Sequence, residues 1–273
     1  MAPEDDSSTL GVLPAPSELT DFRVREGNLR PPLLDRERPG RARAHDGRFP
    51  PLYQLVRSTC ALALRRLFGL DVSGLEGLPD KEPFILAANH HNYLDGIVLG
   101  VAVPRPISFL VMPRVFRASP LHPAFHRGIG SIPVNLERPD PGAIKSALRV
   151  LGGGGVVGIF PEGPFSREGH LMPGLSGVAM IAQRSGVPVV PAAVTGTYEA
   201  LCGRRFYVPR LTRLAVRFGK PLRFPLPIRE QPGHPRGRHA DREDITRRIM
   251  SHIAALLDAG RPVSARRGEA DAS

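Results

Sequence analysis

Between residues 71 and about 225, short apolar runs alternate with stretches whose apolar residues recur at helical spacing, which constrains the fold more than any other feature. The pattern predicts strands over 71–74, 83–88, 107–112, 132–135, 156–160, 188–194 and 213–218. Helices are expected over 93–102, 141–151 and 175–185, with a further one over 115–127. Alternation of this kind implies α/β architecture, a largely parallel or mixed sheet flanked by helices. Either end of this block carries one more expected helix. The stretch PLYQLVRSTCALALRRLFGL sets Leu52, Leu55, Val56, Ala63 and Leu67 among Arg57, Arg65 and Arg66, a basic amphipathic pattern expected to make a membrane-associating helix over 49–70. Its other reading is a helix packed on its own domain. Near the end, Asp241 is an expected N-cap, Ile245, Ile249, Ile253 and Leu257 recur at i+4, and Gly260 stops the run, giving a C-terminal helix over 241–260. Residues 1–48 are rich in Pro, Arg and acid without apolar periodicity and are expected to be disordered, and 261–273 to form a flexible tail. The stretch 49–260 then forms one domain.

At 41% hydrophobic the chain can bury a substantial core, and no run of 18 apolar residues offers a conventional transmembrane span. The acidic, proline-bearing start lacks the pattern of a secretory signal, and two cysteines, Cys60 and Cys202, make no disulfide framework. A net charge of +11, almost all from arginine, favours phosphate-bearing partners. With no Trp and four Tyr, the basic residues lack the aromatic interleaving of a single-strand nucleic-acid groove, so nucleic acid is not an expected partner.

Chemistry concentrates in two blocks. In FILAANHHNYLDGIVLG, His90 and Asp95 stand five apart at the end of an apolar run. A histidine can take a proton from a hydroxyl near neutral pH, and an aspartate can hold the ring in one tautomer. Five residues on a regular helix or strand point such side chains apart, so the pair meets only if the chain bends. A strand ending near Asn89, a turn through His91 and Asn92, and a helix starting near Tyr93 provide that bend. His91 is expected to face away. In the second block, Glu162 follows an apolar strand within a Phe-Pro-Glu-Gly turn, well placed to accept hydrogen bonds from a polyol substrate. His90, His91, His122 and His126 lack supporting Cys or acidic neighbours, so no metal is expected, and Gly152 to Gly155 lacks the lysine of a phosphate loop.

Taken together and in this order, NHHNYLD, GSIPVN, FPEG and VPVVPAAVTGT resemble the glycerolipid acyltransferase family, which includes bacterial lysophosphatidate acyltransferases, over roughly residues 50–225. The resemblance implies that His90 and Asp95 are catalytic and that Glu162 and Gly163 help bind the acceptor. It also implies an α/β domain preceded by membrane-associating helices. Three positions depart from the family pattern: Leu136 stands where an arginine usually follows the GSIPVN stretch, Phe165 stands second after FPEG where an arginine is usual, and the lysine after the first block is missing. Arg138, Arg167 and Arg114 are the nearest replacement cations. Losing a charge-assisted contact costs ~1.5–3 kcal/mol, so either these arginines reach in or the acceptor carries no glycerol phosphate.

The implied reaction moves a fatty acyl group from an acyl thioester to a hydroxyl of a lysolipid such as 1-acyl-glycerol-3-phosphate, with acyl-coenzyme A or acyl carrier protein as cosubstrate and no bound cofactor. Its implied place is peripheral, on the cytoplasmic face of the cell membrane, against anionic lipid. Arg204, Arg205, Arg210 and Arg213 form a charge run that would suit an acidic carrier or a lipid surface. A lipid-binding module that kept the fold without catalysis, and a metal-dependent hydrolase, are the competing classes.

Overall fold

The computed structural model describes residues 51–116, 122–136, 140–166, 168–201, 209–225 and 235–260. In chain order these form α1 (Pro51–Leu67), β1 (Asp71–Ser73), β2 (Phe84–Ala88), α2 (Tyr93–Ala102), β3 (Ile107–Val111), α3 (Pro113–Phe116), α4 (His122–Gly128) and β4 (Ile132–Pro133). There follow α5 (Pro141–Gly152), β5 (Val156–Ile159), α6 (Gly177–Ser185), β6 (Val189–Thr195), α7 (Thr197–Ala200), β7 (Ala215–Phe218) and α8 (Pro235–Gly260). The segments expected to be disordered or flexible, 1–48 and 261–273, lie outside the described residues.

Seven strands form one mixed sheet in the order β1-β7-β6-β2-β5-β3-β4. Its centre is parallel: Leu86 of β2 pairs with Gly158 of β5 and Val190 of β6, while β6 and β7 run antiparallel. All five residues of β2 are buried, as expected for a strand covered on both faces. Successive side chains alternate between those faces. Phe84, Leu86 and Ala88 join Val98 and Leu99 of α2 and Leu64 of α1 in one core layer. Ile85 and Ala87 join Ala147 and Leu151 of α5, Ile181 of α6, and Ile249 and Ile253 of α8 in the other. The carboxyl ends of the parallel strands β2, β5 and β3 lie side by side, where open α/β sheets bind their ligands.

Of the helix expected over 115–127, α3 and α4 hold described parts, and 117–121 lie outside the described residues. The last helix is already formed at Pro235, so Asp241 lies inside it and is not its N-cap. Helix α1 presents two faces. Leu64 and Phe68, just past its end, are buried with Cys60 and Ala61 packed beside them, whereas Leu55, Leu62 and Leu67 are exposed. Arg57 is no solvated cation of that face. Its guanidinium donates to the carbonyls of Gly100, Val101 and Val103, which end α2 without intrahelical partners. Among the described residues no helix is long and apolar enough to cross a membrane.

Candidate active site

The bend between β2 and α2 is built by short polar side chains. Asn89, fully buried, extends β2 sideways: its Oδ1 accepts from Val194 N–H at 2.7 Å and its Nδ2 donates to Val194 C=O at 2.9 Å. Asn92 caps α2, its Oδ1 accepting from Leu94 N–H at 2.9 Å, and Asp95 at the third helical position completes the capping box by reaching back. One carboxylate oxygen of Asp95, Oδ2, receives the N–H groups of His91 at 2.6 Å and Asn92 at 2.8 Å, with His90 Nδ1 at 3.0 Å. That geometry explains the spacing of five. A side chain that caps the start of a helix lies beside the residues just upstream, and His90 is two before the N-cap.

Asp95 is fully buried, and its Oδ1 has no hydrogen-bond partner among the described residues. The His90 side chain is 13% exposed. With Nδ1–H directed at Asp95, Nε2 is the ring atom left to take a proton. His91 faces away, as expected: its Nδ1 lies 3.3 Å from Thr197 Oγ1, and burial holds its pKa below the usual histidine range.

Glu162 sits beside this pair but differently from expectation. It is 4% exposed, and its two oxygens accept the N–H groups of His90 at 2.7 Å and Met172 at 2.6 Å. It therefore clips the loop after β5 onto the histidine turn, and its acceptor capacity is directed at backbone rather than into open space. Ser166 N–H closes the same seam on His90 C=O at 2.9 Å. Burial pushes the Glu162 pKa above the usual carboxylate range, opposed by the Met172 and His90 N–H donors. Gly163 turns the chain at φ 79°, where a Cβ would lie 2.8 Å from Leu175 Cδ1. Gly163→Ala is therefore expected to lower the melting temperature by several degrees, read by thermal unfolding.

The ring of His90 rests in an aromatic box that the sequence reading did not find. Phe160 stacks on it at 3.7 Å between centroids, and Phe165 meets it edge-on at 4.4 Å. Tyr93 in turn meets Phe165 at 4.7 Å. The two phenylalanines flanking Pro-Glu-Gly were the available signal. Of the three replacement cations, Arg138 and Arg167 lie outside the described residues, and Arg114 is placed in α3 without its side chain being described.

His90 opens onto a cleft of about 880 Å³ whose walls are mostly apolar and include Phe109, Phe160, Phe165, Ile144 and Ile181. Leu136, where the family pattern has an arginine, is an apolar part of that wall. The arrangement joins a proton acceptor, held in one orientation by a buried carboxylate, to space suited to hydrocarbon.

An acyltransferase family model matches residues 69–195, a span that contains His90, Asp95 and Glu162. The chain is 34% identical over 168 residues to a 1-acyl-sn-glycerol-3-phosphate acyltransferase of Bacillus subtilis, covering 60% of this chain and 80% of that protein. It is 30% identical to a chloroplastic 1-acyl-sn-glycerol-3-phosphate acyltransferase of Brassica napus, over 52% of this chain and 42% of the longer plant protein. In fold it is similar to the 1-acyl-sn-glycerophosphate acyltransferase PlsC of Thermotoga maritima, with TM-score 0.57, 22% identity and coverage of 75% of this chain and 80% of that one. A family model lying across both chemical blocks, and a bacterial relative matched over most of its length, establish that this chain belongs to the acyltransferase family.

Proposed function

We propose that this protein is an O-acyltransferase that moves a fatty acyl group from an acyl thioester to a hydroxyl of a lysolipid such as 1-acyl-glycerol-3-phosphate, as a step of phospholipid synthesis. One observation carries the reading: a histidine 3.0 Å from a fully buried aspartate, at the wall of an apolar cleft of about 880 Å³. Nε2 of His90 takes the hydroxyl proton as the oxygen attacks the thioester carbonyl. The C–O bond forms, the C–S bond breaks, and the proton passes from the imidazolium to the departing thiolate. Asp95 orients the ring and stabilises its transient charge. No covalent acyl-enzyme is needed, because donor and acceptor meet in one cleft. Acyl-coenzyme A or acyl carrier protein serves as donor, and the exposed Arg210 and Arg213 offer charge to either one's acidic groups.

Phe165 and Leu136 favour a second acceptor class. Both bring apolar surface to the cleft wall. A lysolipid or other hydroxylated lipid without a phosphate suits such walls better than a doubly charged headgroup. Thiol release from an acyl thioester should be followed with a panel of lysolipids with and without phosphate. Release that depends on 1-acyl-glycerol-3-phosphate supports the first reading, and release only with uncharged acceptors selects the second. A protein that binds these lipids without releasing thiol would be the non-catalytic module.

The proposed location is peripheral, on the cytoplasmic face of the cell membrane. Removing α1 is a poor test, because Leu64 belongs to the core and Arg57 holds the end of α2. Leu55 and Leu62, 66% and 61% exposed and one heptad apart, lie on one outer face of α1 with Arg66. Leu55→Glu with Leu62→Glu is expected to reduce sedimentation with anionic vesicles at least about tenfold, with unchanged thermal stability. Undiminished sedimentation would exclude α1 as the contact.

A further inference from the structure

The cleft is not confined to one side of the sheet. Near the carboxyl ends of the central strands its wall takes residues from both helical layers. Tyr53, Cys60 and Gly96 come from α1 and α2, which cover one face, and Ile144, Gly177 and Ile181 from α5 and α6, which cover the other. Strand residues divide in the same way: Phe109 and Phe160 pack with the first layer, Leu110 and Ile159 with the second. His90 stands between, on the turn that follows β2. Each layer also brings its own exposed apolar residue to the cleft, Ile97 from α2 and Leu175 just before α6.

Volume bears on what such a space holds. At roughly 30 Å³ per methylene, about the share of one molecule in liquid water, 880 Å³ has room for about thirty chain carbons. A single chain of sixteen or eighteen carbons fills little more than half.

We propose that the cleft takes two acyl chains at once, one in each helical layer, with the donor's carbonyl and the acceptor's hydroxyl brought together at His90. The proposal rests on the acyl-transfer reading and deepens it: the acceptor is recognised by its own hydrocarbon chain inside the protein, not only by its headgroup. Chain length of donor and of acceptor are then selected independently.

Two glycines make the test clean. Gly96 in α2 and Gly177 at the start of α6 both line the cleft, and a Cβ built on either meets nothing within 4 Å. Both are helical positions, where a side chain is favoured over glycine. Gly96→Leu and Gly177→Leu should therefore fold, and the alanine versions provide milder forms of each. Chain-length series of thioester donors and of lysolipid acceptors should be run with each variant. The expected result is that each leucine shortens the longest chain accepted from one substrate only, by about two to four methylenes, and that the two variants affect different substrates. If both shorten the same substrate, or neither shortens any, the proposal is overturned.

Binding separates this from the catalytic reading. Native mass spectrometry with palmitate below its micellar concentration should find two palmitates on the wild type and one on each leucine variant. One palmitate on the wild type overturns the two-chain cleft. Two palmitates on a wild type that releases no thiol with any acceptor would support the cleft while overturning the acyltransferase reading.

Discussion

Replacing His90 with alanine is expected to cut acyl transfer by at least about a thousandfold while the protein remains folded. The side chain lines the cleft and has a buried carboxylate partner at 3.0 Å. Its loss removes the stacking on Phe160, worth ~0.5–1.5 kcal/mol, so the melting temperature should fall by only a few degrees. Asp95→Asn separates orientation from charge. Its amide oxygen can still take the N–H groups of His91 and Asn92, but it cannot stabilise an imidazolium. A loss of roughly 10²–10⁴ in kcat with modest change in KM is the expected signature. Asp95→Ala should also unfold more readily, because two buried N–H groups lose their acceptor.

The second large effect concerns Glu162. Glu162→Ala leaves the N–H groups of His90 and Met172 without their carboxylate, at about 1–3 kcal/mol each, and should lower the melting temperature by roughly 5–15 °C. Activity should fall at least about tenfold through kcat, because the histidine turn loses an anchor. Glu162→Gln should be intermediate, since an amide accepts one of the two N–H groups and opposes the other with its own. An acceptor-binding role predicts something else: a raised KM for the lysolipid with unaltered stability. The pH dependence has a definite sign. Burial raises the Glu162 pKa in the folded protein, so its contribution to stability is full below the ordinary glutamate pKa. That contribution is lost as pH rises through the raised value. Wild type should therefore lose stability relative to Glu162→Gln across that window, measured by denaturant titration at a series of pH values.

Much of the fold was legible because a doubly covered sheet leaves a simple imprint. The wholly apolar run of β2 and the helical period that follows Asn92 placed the bend between His90 and Asp95 correctly. Boundaries set by apolar periodicity alone were less secure. Helix α8 is formed well before Ile245, in a stretch, PRGRHADRED, whose sequence carries no apolar periodicity. On α1 the pattern left two readings open, and packing divides them: Leu64, Cys60 and Ala61 face the core while Leu55, Leu62 and Leu67 lie outward. Within the site, the proximity of His90 and Asp95 followed from residue type and spacing. The function of Glu162 as a clip did not, since it depends on which backbone N–H groups a distant loop presents. The aromatic box was missed for the same reason: Phe165 reaches His90 only through a fold that brings the ends of β2 and β5 together.

The central claim about the molecule is that the imidazole at the end of β2 takes the acceptor's proton. Thiol release by purified wild type and His90→Ala, each with and without lysolipid and with matched thermal unfolding, tests this directly. The predicted result is release that tracks the acceptor in wild type, one diacylated product per thiol, and none above background in the variant. Equal rates in the two proteins, or release that ignores the acceptor, would contradict it.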